Sequence, residues 1–224
     1  MINTELKKRI LSSLFLIPIT FFFIFQNNFF FIFFLSIIFL VSSYEWIKMN
    51  KKDLIKIVGI YYLFFAFFMA YFLRDKFSLG IFILILIICI FTDLGGYILG
   101  KIFKGPKLTK ISPKKTYSGS LGGFVLSIIS VIIYIKYTTI GEATYFNLLV
   151  LTNNNLVIDK MFFLFILFIS LVSQIGDLII SYFKRLEKVK NTGKLLPGHG
   201  GLLDRIDGII FAIPISYLLI IFLK

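Results

Sequence analysis

The sequence predicts an all-α polytopic membrane protein with about seven transmembrane helices and a cytoplasmic N-terminus. Three observations lead there. Of 224 residues, 58% are hydrophobic and only 16% charged, where a soluble domain is nearer half apolar and a quarter charged. The apolar residues, 29 Phe among them, gather into near-uninterrupted runs instead of alternating as amphipathic surface helices do, and mean hydropathy is +0.95. The basic residues behind the net charge of +13 fall in short segments between those runs. A soluble globular protein, a disordered chain and a secreted disulfide scaffold are excluded. Cys89 is the only cysteine and lies in an apolar run, so it is read as core filling. Lysines placed between apolar runs orient helices and attract anionic headgroups or phosphates, so nucleic acid is not an expected partner.

A spanning helix needs about 20 mostly apolar residues. The first run, 10–26, follows Lys7, Lys8 and Arg9 as a secretory leader would, but no small-residue cleavage site comes after it. It is therefore read as an uncleaved anchor. Only Gln26, Asn27 and Asn28 separate it from the next run, 28–44, so the two form a tight helical hairpin or one broken unit. Further spans are expected over 56–73, 77–100, 120–137, 161–183 and 207–223. With the N-terminus inside, 19 of the 24 basic residues lie on the inner side, leaving only Arg74, Lys76, Lys136, Lys160 and Lys224 outside. That asymmetry is the positive-inside pattern, and one span more or fewer would scramble it. The outer segment 138–160 is Asn/Thr-rich and reads as an ordinary solvated loop.

Eleven carboxylates are present, and two of them, Asp93 and Asp177, sit within otherwise apolar spans, where a charge is costly and marks a functional site by default. Asp204 and Asp207 open the last span. Converging at the inner boundary, these four could hold a hard divalent cation through oxygen ligands; helix caps or ion pairs with nearby lysines are the structural alternative. Asp177, Ser181 and Lys184 fall at i, i+4 and i+7, on one helix face. Asp204 and Asp207 face together, with Arg205 pointing elsewhere. Asp93 pairs with Tyr97, and Gly96 with Gly100 offers a small-residue face for close helix approach.

Two inner segments, 101–120 and 184–206, are rich in Lys and Gly and contain Pro. In the first, Ser112, Lys114, Lys115 and Thr116 stand beside Gly119, Gly122 and Gly123 at a helix start, a combination suited to phosphate. A plain positive-inside turn is the alternative. The second surrounds the only histidine, His199, with Pro197, Gly198, Gly200 and Gly201. Irregular backbone at membrane depth is tolerated only when buried in protein or lining a polar cavity. His199 is expected to position this loop or touch a phosphate.

Ser181, Lys184-Arg185, Lys190, Gly193, Pro197, His199-Gly200-Gly201, Asp204-Arg205 and Asp207 together resemble the signature of phosphatidate cytidylyltransferases, also called CDP-diacylglycerol synthases. Ser112-Pro113-Lys114-Lys115-Thr116 with its glycines, Asp93 with Gly95 and Tyr97, Gly176-Asp177, and Pro214 with Tyr217 add to the resemblance, which covers roughly 90–224. Asn191 stands where the family usually has Asp, and is not expected to be a metal ligand; Leu94 and Tyr117-Ser118 also depart from the usual pattern. The resemblance divides the chain into N-terminal transmembrane helices, 1–90, and a catalytic transmembrane region, 91–224, in the cytoplasmic membrane of a bacterium.

It also implies a reaction, CTP plus phosphatidate giving CDP-diacylglycerol plus pyrophosphate with Mg²⁺, and leaves open a second cation and a homodimer. Asp177 and Asp204 are then the first-choice metal ligands, with Asp207 and Asp93 in support. Lys184 and Arg185 are catalytic, joining Ser112, Lys114, Lys115, Thr116, Ser181, Lys190, His199, Gly200, Gly201 and Arg205 around the substrates and membrane lipids. Phosphatidate is already ionised, so His199 is not assigned as a base. A different CTP-dependent lipid cytidylyltransferase or kinase is the nearest alternative. An ion-coupled transporter would place its carboxylates at the midplane within an inverted repeat, and neither is visible here.

Overall fold

The computed structural model describes residues 4–109, 111–138, 149–152, 155–158, 160–196, 198 and 200–223. The chain runs α1 (Thr4–Phe25), α2 (Asn28–Met49), α3 (Asp53–Lys76), α4 (Leu79–Phe103), α5 (Tyr117–Thr138), β1 (Leu149–Thr152), β2 (Asn155–Ile158), α6 (Lys160–Leu186), α7 (Leu203–Ile206) and α8 (Ile209–Leu223). Among the described residues six helices are long and apolar enough to cross a membrane: α2 to α6, and the α7–α8 unit over Leu203–Phe222. The seventh expected span corresponds to α1, in which Leu14–Phe25 is a shorter apolar stretch. The segment expected to be a plain loop includes an antiparallel hairpin, with Leu149 opposite Ile158 and Thr152 opposite Asn155.

Three of the helices start where a polar side chain takes over an unpaired backbone N–H. Asn27 breaks α1 from α2, and its side chain accepts from Phe30 N at 3.3 Å, which settles the expected hairpin in favour of two helices. Ser78 does the same for α4, accepting from Ile81 N at 3.2 Å. Thr116 Oγ1 accepts from Gly119 N at 3.1 Å at the start of α5.

Contacts between the turns fix which ends lie together. Asn28 donates to Asp75 Oδ1 at 2.9 Å, bringing the α1–α2 break beside the end of α3. On the other side Lys51 N donates to Glu187 Oε1 at 3.3 Å, and Arg185 Nε donates to the Ile111 carbonyl at 3.3 Å. The α2–α3 turn and the described parts of the 104–116 and 187–202 segments therefore share one end of the bundle, and that end has the lysine-rich loops. α4 and the α7–α8 unit form its centre, each with 50% of its membrane-spanning window buried, against 17% for α3. Leu73, Ile85, Ile88, Val131, Ile166 and Ile169 are fully enclosed there, together with Cys89, the expected core filler.

α4 and α5 pack almost backbone to backbone. A Cβ on Gly95 would lie 2.3 Å from the Gly122 carbonyl oxygen, and one on Gly119 would lie 2.7 Å from the Gly96 oxygen. The small-residue face predicted at Gly96 and Gly100 is present, but its closest point is one residue earlier, at Gly95. Lipid supplies no hydrophobic drive for helix pairing, so close van der Waals fit of this kind is what holds such helices together.

Candidate active site

The α4–α5 crossing sets up the first half of the site. Because α5 starts against α4, the preceding loop folds back over the end of the bundle, held by Leu108 N to the Lys115 carbonyl at 2.7 Å and Lys115 N to the Ser112 carbonyl at 3.0 Å. Lys115 then ion-pairs with Asp177 of α6. Asp177 also accepts from Ser181 Oγ at 3.2 Å, one turn along, as the helical spacing predicted. Between α4, the loop and α6 lies a cavity of about 300 Å³ lined by Asp93, Ser112, Lys114, Lys115, Thr116, Gln174 and Asp177.

The second half is built on Asp204. Lys184 reaches across from α6 to its Oδ1 at 2.8 Å, and both side chains are about nine-tenths buried. The other oxygen, Oδ2, accepts from Thr192 N at 2.9 Å and Gly201 N at 3.1 Å. The two halves touch electrostatically. Asp207 sits within hydrogen-bonding reach of Asp177, Asp93 acts on both by like-charge repulsion, and Lys184 attracts Asp177 and Asp207 as well as its own partner. Asp93 is exposed along the cavity wall, Asp177 half-buried and Asp207 buried.

Several expectations change in detail. Asp204 and Asp207 both come under the charge of Lys184, but Asp204 is its ion-pair partner while Asp207 lies against Asp177. Asp204 has both oxygens engaged, Oδ1 by Lys184 and Oδ2 by two amides, so a metal there would share Oδ1 with the Lys184 ammonium. Arg205 is exposed, and its charge acts on Asp93. Arg185, expected at a phosphate, is exposed and ties the two loops together through the Ile111 and Val189 carbonyls. Thr116 lines the cavity and also caps α5, and Lys190 is exposed at the loop surface. Gly201 donates to Asp204, while Gly200 turns the loop with φ +91°. His199 and Pro197 lie outside the described residues.

Two polar residues escaped the sequence reasoning. Gln174 lies on the cavity wall, clasped by Ser120 Oγ at 2.5 Å; its polarity inside an apolar span, three residues before Asp177, was the available signal. Glu45, near the end of α2, is 2% exposed and accepts from Thr192 Oγ1, Leu202 N and Leu203 N. Nothing in its sequence surroundings distinguishes it from an ordinary solvated helix end.

Among the described residues no three His, Cys, Asp or Glu side chains form a ready-made metal cage. The donor chemistry fits magnesium all the same. Asp93, Asp177 and Asp207 offer hard oxygen donors, and Mg²⁺ is commonly held by one or two carboxylates together with substrate phosphates and water.

A family model described as the cytidylyltransferase family matches residues 53–223, a stretch containing both halves of this site. The chain belongs to the cytidylyltransferase family. Among curated relatives of this chain, the phosphatidate cytidylyltransferase of Rickettsia prowazekii is 40% identical over 128 residues, covering 55% of this chain and 51% of that protein. That of Staphylococcus saprophyticus is 37% identical over 131 residues, covering 58% and 45%. That of Staphylococcus aureus is 31% identical over 188 residues, covering 82% and 66%. The chain spans about half the length of the first of these relatives.

Proposed function

We propose that this cytidylyltransferase joins CTP to phosphatidate, giving CDP-diacylglycerol and pyrophosphate at the cytoplasmic face of a bacterial inner membrane. The observation that supports this most is the Lys115–Asp177 and Lys184–Asp204 network beside one polar cavity, inside the stretch matched by the family. An oxygen of the phosphatidate phosphate attacks the α-phosphorus of CTP; the new P–O–P link forms as the bond to the β-phosphate breaks, and pyrophosphate leaves. Both reactants are polyanions, so charge neutralisation and alignment supply most of the rate.

Lys114 and Lys115 at the cavity wall give cations to the incoming phosphates. At about 4 Å and an effective dielectric near 20, one such contact is worth roughly 4 kcal/mol. As Lys115 turns toward phosphate, Asp177 is freed. Asp177, with Asp93 and Asp207 in support, would then hold Mg²⁺, which when bound polarises the α-phosphate and neutralises the leaving pyrophosphate. Lys184 stays buried and holds the carboxylates in register. No protein base is needed, because the attacking phosphate already carries negative charge. CTP enters from water and the diacyl tails remain in lipid.

The test is pyrophosphate release by the purified full chain with Mg²⁺, CTP and vesicles containing phosphatidate. Release that requires phosphatidate supports the assignment. Release with another lipid phosphate or a polyprenol-type alcohol, and none with phosphatidate, overturns the substrate.

A further inference from the structure

We propose that Glu45 is a positioning residue for the 190–203 loop, so that α2, which precedes the family-matched stretch, completes the site. As a statement about catalysis this rests on the function proposed above; as a statement about the loop it does not.

The Glu45 carboxylate is enclosed, and its partners are neutral donors. Oε2 accepts from Leu203 N at 2.9 Å and Thr192 Oγ1 at 3.1 Å, and Oε1 accepts from Leu202 N at 3.0 Å. Among the described residues Glu45 makes no ion pair. A buried charge without a counter-ion is retained only where several donors converge on it. Those donors come from both ends of one loop. Thr192 gives its hydroxyl to Glu45 and its N–H to Asp204, while Gly201 gives its N–H to Asp204 and the next two residues give theirs to Glu45. Two carboxylates from distant parts of the chain thus grip the same loop base from two sides. Asp204 in turn carries Lys184, so whatever sets the loop base sets that pair.

The fit leaves no slack. A Cβ on Gly201 would fall 2.1 Å from Thr192 Oγ1 and 2.6 Å from Glu45 Oε2, and one on Gly193 would fall 2.4 Å from Glu45 Oε1. The helix end that delivers the carboxylate is fixed independently. Trp46 stacks edge-on against Phe183 of α6 at 5.0 Å and donates to the Ile55 carbonyl at 3.0 Å. α2 therefore stays docked when the carboxylate is altered, which separates a positioning role from a folding role.

Glu45→Gln keeps the shape and removes the charge. An amide has one acceptor oxygen, so in either orientation its NH₂ faces a backbone N–H that has lost its acceptor. Thr192→Val, as a second variant, deletes one donor and leaves Glu45 intact. Hydrogen exchange on the purified full chain should show peptides over 190–203 exchanging about tenfold faster in Glu45→Gln, with α4 and α6 unchanged. Thr192→Val should show a smaller change in the same peptides. With CTP and phosphatidate, kcat should fall at least about tenfold while KM for CTP moves by less than about threefold, since what is lost is alignment and not binding. Unchanged loop exchange in both variants overturns the inference, as does acceleration that extends through α4 and α6, or a loosened loop with normal kcat. A wild-type chain that fails to turn over CTP with phosphatidate sinks the proposed function alone, because the exchange measurement needs no substrate.

Discussion

Replacing Gly95 by Ala tests whether the α4–α5 contact shapes the cavity. The new Cβ would lie 2.3 Å from the Gly122 carbonyl oxygen, 2.8 Å from its carbonyl carbon and 3.0 Å from Gly123 Cα. All three are backbone atoms, so no rotamer change relieves them. Ordinary contact begins near 3.4 Å, so the two helices must part by about 1 Å. Overpacking of this size costs about 1–3 kcal/mol, or roughly 2–12 °C in Tm for a chain of this length. The shift also reaches the proposed site, because Asp93 is two residues away on α4 and Lys115 lies just before α5. A 1 Å displacement of reacting partners can cost about 100-fold in rate. Gly96 is the internal control: a Cβ there meets only the Gly119 oxygen, at 3.7 Å. Without a clash, Gly→Ala inside a helix gains about 0.5–1 kcal/mol. Thermal unfolding of the purified variants, followed by near-UV circular dichroism, should give a lower Tm for Gly95→Ala and a Tm at or above wild type for Gly96→Ala. Pyrophosphate release by Gly95→Ala should fall in parallel. If the two variants melt together, the close-packing argument is wrong.

Asp177→Asn should reduce turnover by at least about 100-fold while the protein still inserts and purifies, measured as pyrophosphate release at saturating CTP. Lys184→Met leaves Asp204 buried without its cation; breaking a buried pair this way costs about 3–5 kcal/mol and should lower Tm by about 10 °C. Arg185→Met, which removes only exposed contacts to carbonyls, should cost about 1 kcal/mol or less in the same melt. Chelation with EDTA should abolish turnover without moving Tm by more than about 2 °C, and Mg²⁺ should restore it, because the carboxylates retain their lysine partners when no cation is bound.

What could be read from the sequence, and what could not, divides along one physical line. Charge inside an apolar span is expensive wherever the neighbouring helices lie, so Asp93 and Asp177, which line one cavity, stood out as candidates, and helical spacing alone put Ser181 beside Asp177. The glycines of α4 and α5 were legible for a similar reason: only small residues allow backbones to meet in lipid, although periodicity could not say that Gly95 makes the closest approach. Gln174 obeys the same cost rule and could have been found with it.

Partner choice is another matter, because it depends on which elements share an end of the bundle. Two adjacent cations, Lys184 and Arg185, look equivalent in one dimension, yet one is buried on Asp204 and the other holds loop carbonyls. Glu45 is the clearest case. At a helix end beside Lys48, Lys51 and Lys52 a carboxylate carries no visible cost, because water is assumed to be there. It is the 190–203 loop, folded over that end from about 150 residues away in the chain, that removes the water and turns an unremarkable glutamate into a buried anchor. Sequence patterns therefore report the solvent that a residue's own helix predicts. They fail where a distant segment changes that solvent, and in this bundle the change occurs at the lysine-rich end, where Lys184 meets Asp204.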